Sequence, residues 1–159
     1  MENNSGQLKD TIADMIRKIV SFMNLDCQVE LREESNDDGK NLLVAVYTPE
    51  NARLLIGKDG QNLKAFEQII RAMFLKNVAE FKNIIVDVND YKRSRAMYVL
   101  ELARQAVTRV RNTQKAEALL PMTAYERRVV HMELASCPDI ATESIGSEPQ
   151  RRIVIKPYP

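Results

Sequence analysis

The stretch that most limits what this chain can fold into is Leu54-Leu55-Ile56-Gly57-Lys58-Asp59-Gly60-Gln61-Asn62-Leu63, where two glycines interrupt an otherwise helical apolar rhythm. A Gly-x-x-Gly by itself is a common turn, so its surroundings have to decide its meaning. Upstream, Thr48-Pro49-Glu50 reads as a helix start, with Thr48 as N-cap, Pro49 in the first helical position and a short helix running to about Ile56. Downstream, Gln61 to about Asn77 is amphipathic through Leu63, Phe66, Ile69, Ile70 and Met73. The loop therefore joins two helices. Glycines there let the backbone turn sharply and approach a ligand closely, because no Cβ stands in the way. The second helix offers its unpaired N–H groups and positive dipole end, a favourable place for phosphate. Lys58 suits that ligand. Asp59 opposes it unless its carboxylate turns back to cap the following helix.

The flanks supply a definite order of elements. Residues 8–24 are helical, with Leu8, Ile12, Met15, Ile16, Ile19, Val20 and Met23 recurring at spacings of three and four. Cys27 to Arg32 alternates with period two, as a half-buried strand does. A polar turn, Glu34 to Lys40, leads into a second strand, Leu42 to Tyr47, and the two form an antiparallel hairpin. Asn83 to Val88 makes a third strand with Ile84, Val86 and Val88 on one face. This order, helix–strand–strand–helix–loop–helix–strand with Ile56-Gly57-Lys58-Asp59-Gly60 and Leu63 at its centre, resembles a type II KH domain over residues 8–89. The resemblance implies that Gly57, Lys58, Asp59 and Gly60 clamp a nucleic-acid backbone while about four nucleotides cross the adjacent apolar groove.

A second segment follows. Asn89-Asp90 is a good capping pair for a long helix from Tyr91 to about Asn112, with Ala96, Val99, Leu100, Ala103, Ala106, Val107 and Val110 as its apolar stripe. Arg93, Arg104 and Arg111 fall within about 20° of one another on the helical wheel. Such a row can track a phosphate backbone or simply be a solvated face. Residues 116–120 form a short strand ending at Pro121. Thr123-Ala124-Tyr125-Glu126 is a capping box that starts a helix carrying Arg127 and His131 one turn apart, ending near Pro138. Ala141 to Ile145 and Arg151 to Lys156 read as strands, with Arg152 and Lys156 on one face of the last. A lone histidine near an arginine is ordinarily a hydrogen-bonded structural pair.

The text Tyr125-Glu126-Arg127-Arg128-Val129-Val130-His131, then Thr142-Glu143-Ser144-Ile145-Gly146 and Arg151-Arg152-Ile153-Val154-Ile155-Lys156-Pro157, looks like an R-three-H domain over residues 90–159. That family is associated with single-stranded nucleic acid, and Arg127 and His131 match its signature positions. The fold class expected is α+β, a type II KH domain followed by a small α/β R-three-H domain. The tandem is similar to the Jag (SpoIIIJ-associated, KhpB-like) family of bacteria. The resemblance implies a cytoplasmic RNA binder, a post-transcriptional regulator linked to cell division, elongation or sporulation. Many members carry a further N-terminal domain and linker that this sequence does not show, and what that part does is not carried over.

Composition bounds these expectations. The 159 residues carry a formal net charge of +1, which gives no global argument for a polyanionic partner. The charge is unevenly spread: residues 1–90 hold 11 Lys/Arg against 15 Asp/Glu, residues 91–131 hold 9 against 3, and residues 132–159 hold 3 against 4. Two cysteines, Cys27 and Cys137, with one histidine are too few for a disulfide framework or a zinc site. No secretory signal or membrane span is visible, so the chain reads as cytoplasmic without direct membrane insertion. His131 is the only histidine and no Ser or Cys has an evident base partner, so no enzyme, cofactor or metal is expected. The expected partner is single-stranded RNA, with single-stranded DNA as the alternative. A homodimer or a partner KH protein, and a protein–protein adaptor with weak intrinsic nucleic-acid affinity, also stay open.

Overall fold

The computed structural model describes residues 2–36, 39–74 and 81–158. The chain divides into two compact units, residues 1–92 and 93–159. The fold is mixed α+β, and no helix among the described residues is long and apolar enough to cross a membrane.

In the first unit α1 (Glu2–Phe22) precedes a hairpin of β1 (Gln28–Asn36) and β2 (Gly39–Tyr47). A short helix α2 (Ala52–Ile56), a single tight turn (Lys58–Gly60) and α3 (Gln61–Phe74) lead to β3 (Asn83–Val88). The order is the expected one. β2 lies in the middle of the sheet, antiparallel to β1 (Val29 opposite Val46) and parallel to β3 (Val44 opposite Val86). The parallel pair requires a crossover, and α2, the loop and α3 provide it. Ile12, Ile16 and Val20 of α1, Leu63, Phe66, Ile70 and Phe74 of α3, and the valines and isoleucine of β2 and β3 close one core. Each such side chain contributes roughly 1.5–3 kcal/mol on burial.

Several expectations change here. The hairpin pairs far beyond its apolar part, with Ser35 opposite Lys40 and Asn36 opposite Gly39. Alternation reports burial, whereas backbone pairing also extends through polar residues whose side chains meet water. Ile69 and Met73, expected in the core-facing stripe of α3, are exposed. The expected end of that helix near Asn77 lies outside the described residues.

Thr48 and Pro49 do not cap a helix. The α2 helix begins only at Ala52, after Asn51 in a left-handed conformation (φ 54°). Instead Thr48 N–H donates to Asn89 Oδ1 (2.9 Å) and Asn89 Nδ2 donates to the Thr48 carbonyl (2.9 Å), tying the ends of β2 and β3 together. Asn89 and Asp90 both have positive φ and form a turn, and the carboxylate that receives the next helix, α4 (Tyr91–Thr113), belongs to Asp87, which accepts from the N–H of Lys92 (3.2 Å) and of Val88 (2.9 Å). Thr and Asn bond nearby backbone in turns as readily as at helix starts, which is why their sequence signal misleads. Burial pushes the Asp87 carboxyl pKa up, and those two N–H groups pull against it.

The free edge of β3 is closed by α3. Arg71 Nε donates to the Ile84 carbonyl (2.7 Å), and Val86 N–H donates to Glu67 Oε2 (2.9 Å), which also receives Lys92 Nζ (2.5 Å). Side chains four apart on one helix thus satisfy an exposed strand edge.

The second unit holds α4 (Tyr91–Thr113, apart from its first two residues), β4 (Glu117–Ala118), α5 (Ala124–Leu134), β5 (Ile140–Ile145) and β6 (Arg152–Pro157). Its sheet is antiparallel in the order β4-β6-β5. The α4 stripe packs as expected, with Ala103 and Ala106 fully buried against Val130, Leu134, Ile153 and Ile155. The capping box is present: Thr123 Oγ1 accepts from Glu126 N–H (3.3 Å) and Thr123 N–H donates to Glu126 Oε2 (2.7 Å). The α5 helix ends at Leu134, a turn earlier than expected. Cys27 and Cys137 are half-buried free thiols, and burial raises the Cys27 pKa.

Candidate nucleic-acid interface

The Gly57–Gly60 loop owes its shape to three residues at positive φ. Gly57 sits at φ 72°, ψ −178°, Asp59 at φ 51° and Gly60 at φ 79°. Aspartate tolerates the left-handed region better than most residues. A Cβ on Gly57 would lie 2.6 Å from Asn62 Cγ and 2.8 Å from the Asn62 backbone nitrogen, and one on Gly60 would lie 2.9 Å from the Tyr91 ring. Asn62 is itself fixed, since its Nδ2 donates to the Leu54 carbonyl at 2.9 Å. Lys58 is exposed, and its side chain has no hydrogen bond or ion pair among the described residues, while its carbonyl accepts from the Gln61 N–H. The loop ends at Gln61, where α3 begins, so the first N–H groups of a fourteen-residue helix follow it directly.

An apolar line leads away from the loop. Around α3, Ile69 and Met73 lie about 20° to either side of Asn62 and about 40° from each other. Because Asn62 reaches Leu54, the line starts beside an exposed Leu54 and continues through exposed Ile69 and Met73. These are the residues whose apolar character reads as core in the sequence, and their exposure is what a groove for bases requires.

In the second unit the signature pair occupies two different environments. His131 is exposed, with Nδ1 2.5 Å from Thr142 Oγ1 on β5. Arg127 is buried, its Nη1 donating to the Met122 carbonyl (2.7 Å) and lying 2.8 Å from Glu148 Oε1. Next to Thr142 along β5, Ser144 Oγ accepts from Arg151 Nε at 3.0 Å. Thr142 stands opposite Ile155 and Ser144 opposite Ile153, so both point to the helix-covered side of the sheet, where His131 meets Thr142. Thr142, Ser144, Glu148 and Arg151 are not among the site residues expected from the sequence, and each contacts one of the residues around the signature pair. Their signal is the pair of hydroxyls two apart on one strand.

Arg152 and Lys156 share a face as expected, but it is the opposite face of the sheet from Ile153 and Ile155. They cannot extend the His131 surface, because period-two alternation sends them away from it. Lys156 pairs with Glu143, and Arg152 Nε donates to the Gln150 carbonyl (3.1 Å).

The positive middle of the sequence is largely neutralised in space. Of the nine basic residues between 91 and 131, Lys92 pairs with Glu67, Arg95 with Glu126, Arg104 with Glu133, Arg109 with Glu117, Arg111 with Asp139 and Arg127 with Glu148. The expected row of Arg93, Arg104 and Arg111 therefore contains two ion pairs, and only Arg93, Lys115 and Arg128 lack a partner among the described residues. Hydrogen bonds from Arg109 and Arg111 hold the Glu117 and Asp139 carboxyl pKa values below their usual range. The Arg104–Glu133 and Arg111–Asp139 pairs are exposed and weak. Replacing Glu133 and Asp139 together by Gln and Asn should release Arg104 and Arg111, so that the variant elutes from a heparin column at higher salt. Unchanged elution would mean that neither arginine meets a polyanion. Among the described residues no three potential metal ligands cluster.

Residues 97–157 match the R-three-H domain family. The chain is similar to the RNA-binding protein KhpB of Clostridium symbiosum, at 27% identity over 150 residues, covering 93% of this chain and 65% of that protein. It is 34% identical over 144 residues to KhpB of Lactiplantibacillus plantarum, covering 91% of this chain and 43% of that one. Against KhpB of Bacillus subtilis it is 34% identical over 110 residues, covering 68% and 53%. The chain thus spans less than two thirds of the length of these relatives.

Proposed function

From a chain that carries an R-three-H domain and is a member of the KhpB-like (Jag) family along most of its length, we propose binding of single-stranded RNA through two separate surfaces, one on each unit. The first unit acts as a type II KH domain. The observation that carries this reading is the loop: Lys58, unpartnered, stands between two glycines that hold positive φ in front of the α3 N-terminus. Phosphate oxygens meet N–H groups and one cation there, and bases lie along Leu54, Ile69 and Met73. The second unit contributes His131, Thr142, Ser144 and Arg151, with Arg127 behind them and exposed Arg128 on the same helix. In this reading Arg93, Arg152 and Lys156 are peripheral cations, and Asp59 tempers the affinity of the loop.

In this reading the chain is a binding protein, and its one imidazole, hydrogen-bonded to the Thr142 hydroxyl, serves recognition. A cytoplasmic place of action, and a second KH protein or a second copy as partner, go with this reading.

The test is fluorescence anisotropy of a short labelled RNA strand against the full chain over a range of salt. Affinity should fall steeply with salt, as counterions are released from each phosphate contact. Lys58→Asp should weaken binding by about tenfold or more without altering the fold, since Lys58 is exposed and unpaired; a tenfold loss corresponds to about 1.4 kcal/mol. If the double-acid loop binds as tightly as before, Gly57–Gly60 is only a turn. No binding at low salt would remove the RNA reading and favour a protein adaptor, and equal affinity for the matching DNA strand would broaden it.

A further inference from the structure

The contact between Arg127 and Glu148 is the only one in the His131 cluster to bring in an acid among the described residues. Its two halves are unequal. The Arg127 side chain is 10% exposed and the Glu148 side chain 53%. On its inner side Arg127 Nη1 is pinned to the Met122 carbonyl, and on its outer side the same nitrogen meets Glu148 Oε1. Glu148 belongs to the turn joining β5 to β6, which also carries Arg151, the residue reaching Ser144. A fixed guanidinium thus already holds an anionic oxygen, at the edge of a cluster of imidazole, hydroxyls and a second guanidinium. Carboxylate and phosphate oxygens take the same hydrogen-bonded position on arginine. The buried partner cannot move away, whereas the half-exposed one can swing into water and be rehydrated.

We infer that Glu148 is a specificity-determining residue: its carboxylate occupies the position a ligand phosphate takes on Arg127, and the ligand has to displace it. The inference rests on the nucleic-acid reading above and deepens it at the second unit. A lone, weakly held anion does not compete well with a tethered carboxylate. A strand whose other phosphates and bases are already engaged does, because its effective concentration at Arg127 is high. Displacement frees the 146–150 turn from α5. Glu148 therefore favours extended polyanions over small anions, which displace it only at high concentration.

The experiment uses the full chain and its Glu148→Gln variant, which keeps the shape and an acceptor oxygen but removes the charge. The variant should bind a short RNA strand about fivefold more tightly. Its log–log salt slope should match that of the wild type, because the same phosphate contacts Arg127 in both chains, and a slope steeper by about 0.7, one added contact on a single strand, would overturn displacement. Unchanged or weaker binding by a folded variant overturns the proposal, since Glu148 would then only brace Arg127.

A second measurement needs neither RNA nor the variant. At high concentrations of inorganic phosphate, where mass action lets even a lone anion displace the tethered carboxylate, the Arg127 Nε–H signal and the backbone amides of 146–150 of the 15N-labelled wild-type chain should shift together, against a chloride-matched control. Movement of Arg127 without the turn, or of neither, overturns it as well. A chain that binds no RNA but gives the coupled phosphate response loses the nucleic-acid reading and keeps the competition at Arg127. One that binds RNA without that response does the reverse.

Discussion

Replacing Gly57 by alanine is expected to cost the first unit about 1–3 kcal/mol and to lower RNA affinity of the full chain by about tenfold or more. The stability loss has two sources that add. With φ 72° and ψ −178°, Gly57 sits in a region that is essentially closed to any residue with a Cβ. That Cβ would also lie 2.6 Å from Asn62 Cγ and 2.8 Å from the Asn62 backbone nitrogen. The side chain could rotate only by surrendering its bond to the Leu54 carbonyl, and the backbone nitrogen belongs to the first turn of α3, which cannot give way cheaply. Gly60→Ala is a milder change, because its Cβ meets the edge of a side chain, Tyr91. Thermal unfolding and RNA anisotropy on both variants check this, with Gly57→Ala the more damaging in each. In the double variant Gly57→Ala with Asn62→Ala, the side-chain clash disappears while the backbone clash and the strain remain, so recovery should be partial. A Gly57→Ala chain with unchanged melting temperature and affinity would show the loop to be neither strained nor ligand-bearing.

The elements that proved legible in the sequence share one cause: their signal is burial with a fixed period. Ile84, Val86 and Val88 on β3 and the Ala96-to-Val110 stripe of α4 are legible because each is an unbroken alternation or helical repeat. The Thr123–Glu126 box was legible because two reciprocal hydrogen bonds demand two residue types at one spacing. Thr48 and Asn89 were not, since the same polar groups serve equally well to tie two strand ends together, and only tertiary structure brings residues 41 apart into register. Ile69 and Met73 misled in the opposite way. A helix whose buried face is already filled by Leu63, Phe66, Ile70 and Phe74 has no core left for them, and a sequence does not reveal how much core a face can reach. Charge was the least legible property. The basic segment from 91 to 131 looks like a polyanion-binding surface until the acids of 132–148 fold back on it, and Glu133, Asp139 and Glu148 are far enough along the chain that no local rule pairs them.

Arg127→Ala should therefore behave first as a stability variant of the second unit, in contrast to His131→Ala. The buried guanidinium fills space beside α5 and satisfies the Met122 carbonyl, and removing it leaves that acceptor unpaired and a void behind it. Glu148 adds little to the cost, since it is half exposed and water replaces its partner. The loss should be about 2–3 kcal/mol, which lowers the melting temperature of a unit this size by roughly 10–20 °C. His131 is exposed and holds a single side-chain partner, so its replacement should cost less than about 1 kcal/mol while still weakening RNA binding. A combined Arg127/His131 variant cannot distinguish a lost contact from a lost fold. The two single variants can, when melting curves and anisotropy are measured on the same preparations. Arg127→Lys sharpens the comparison: it restores charge but not the guanidinium fork that bonds inward and outward at once, so stability should recover only in part. If Arg127→Ala instead melts as the wild type does and loses RNA affinity, the guanidinium is a ligand group with no structural duty, and its inward bond to Met122 is incidental. The geometry assigns it both tasks, an inner bond that fixes it in place and an outer N–H that meets an anion, and the order in which stability and affinity fail along the series Lys, Ala separates them.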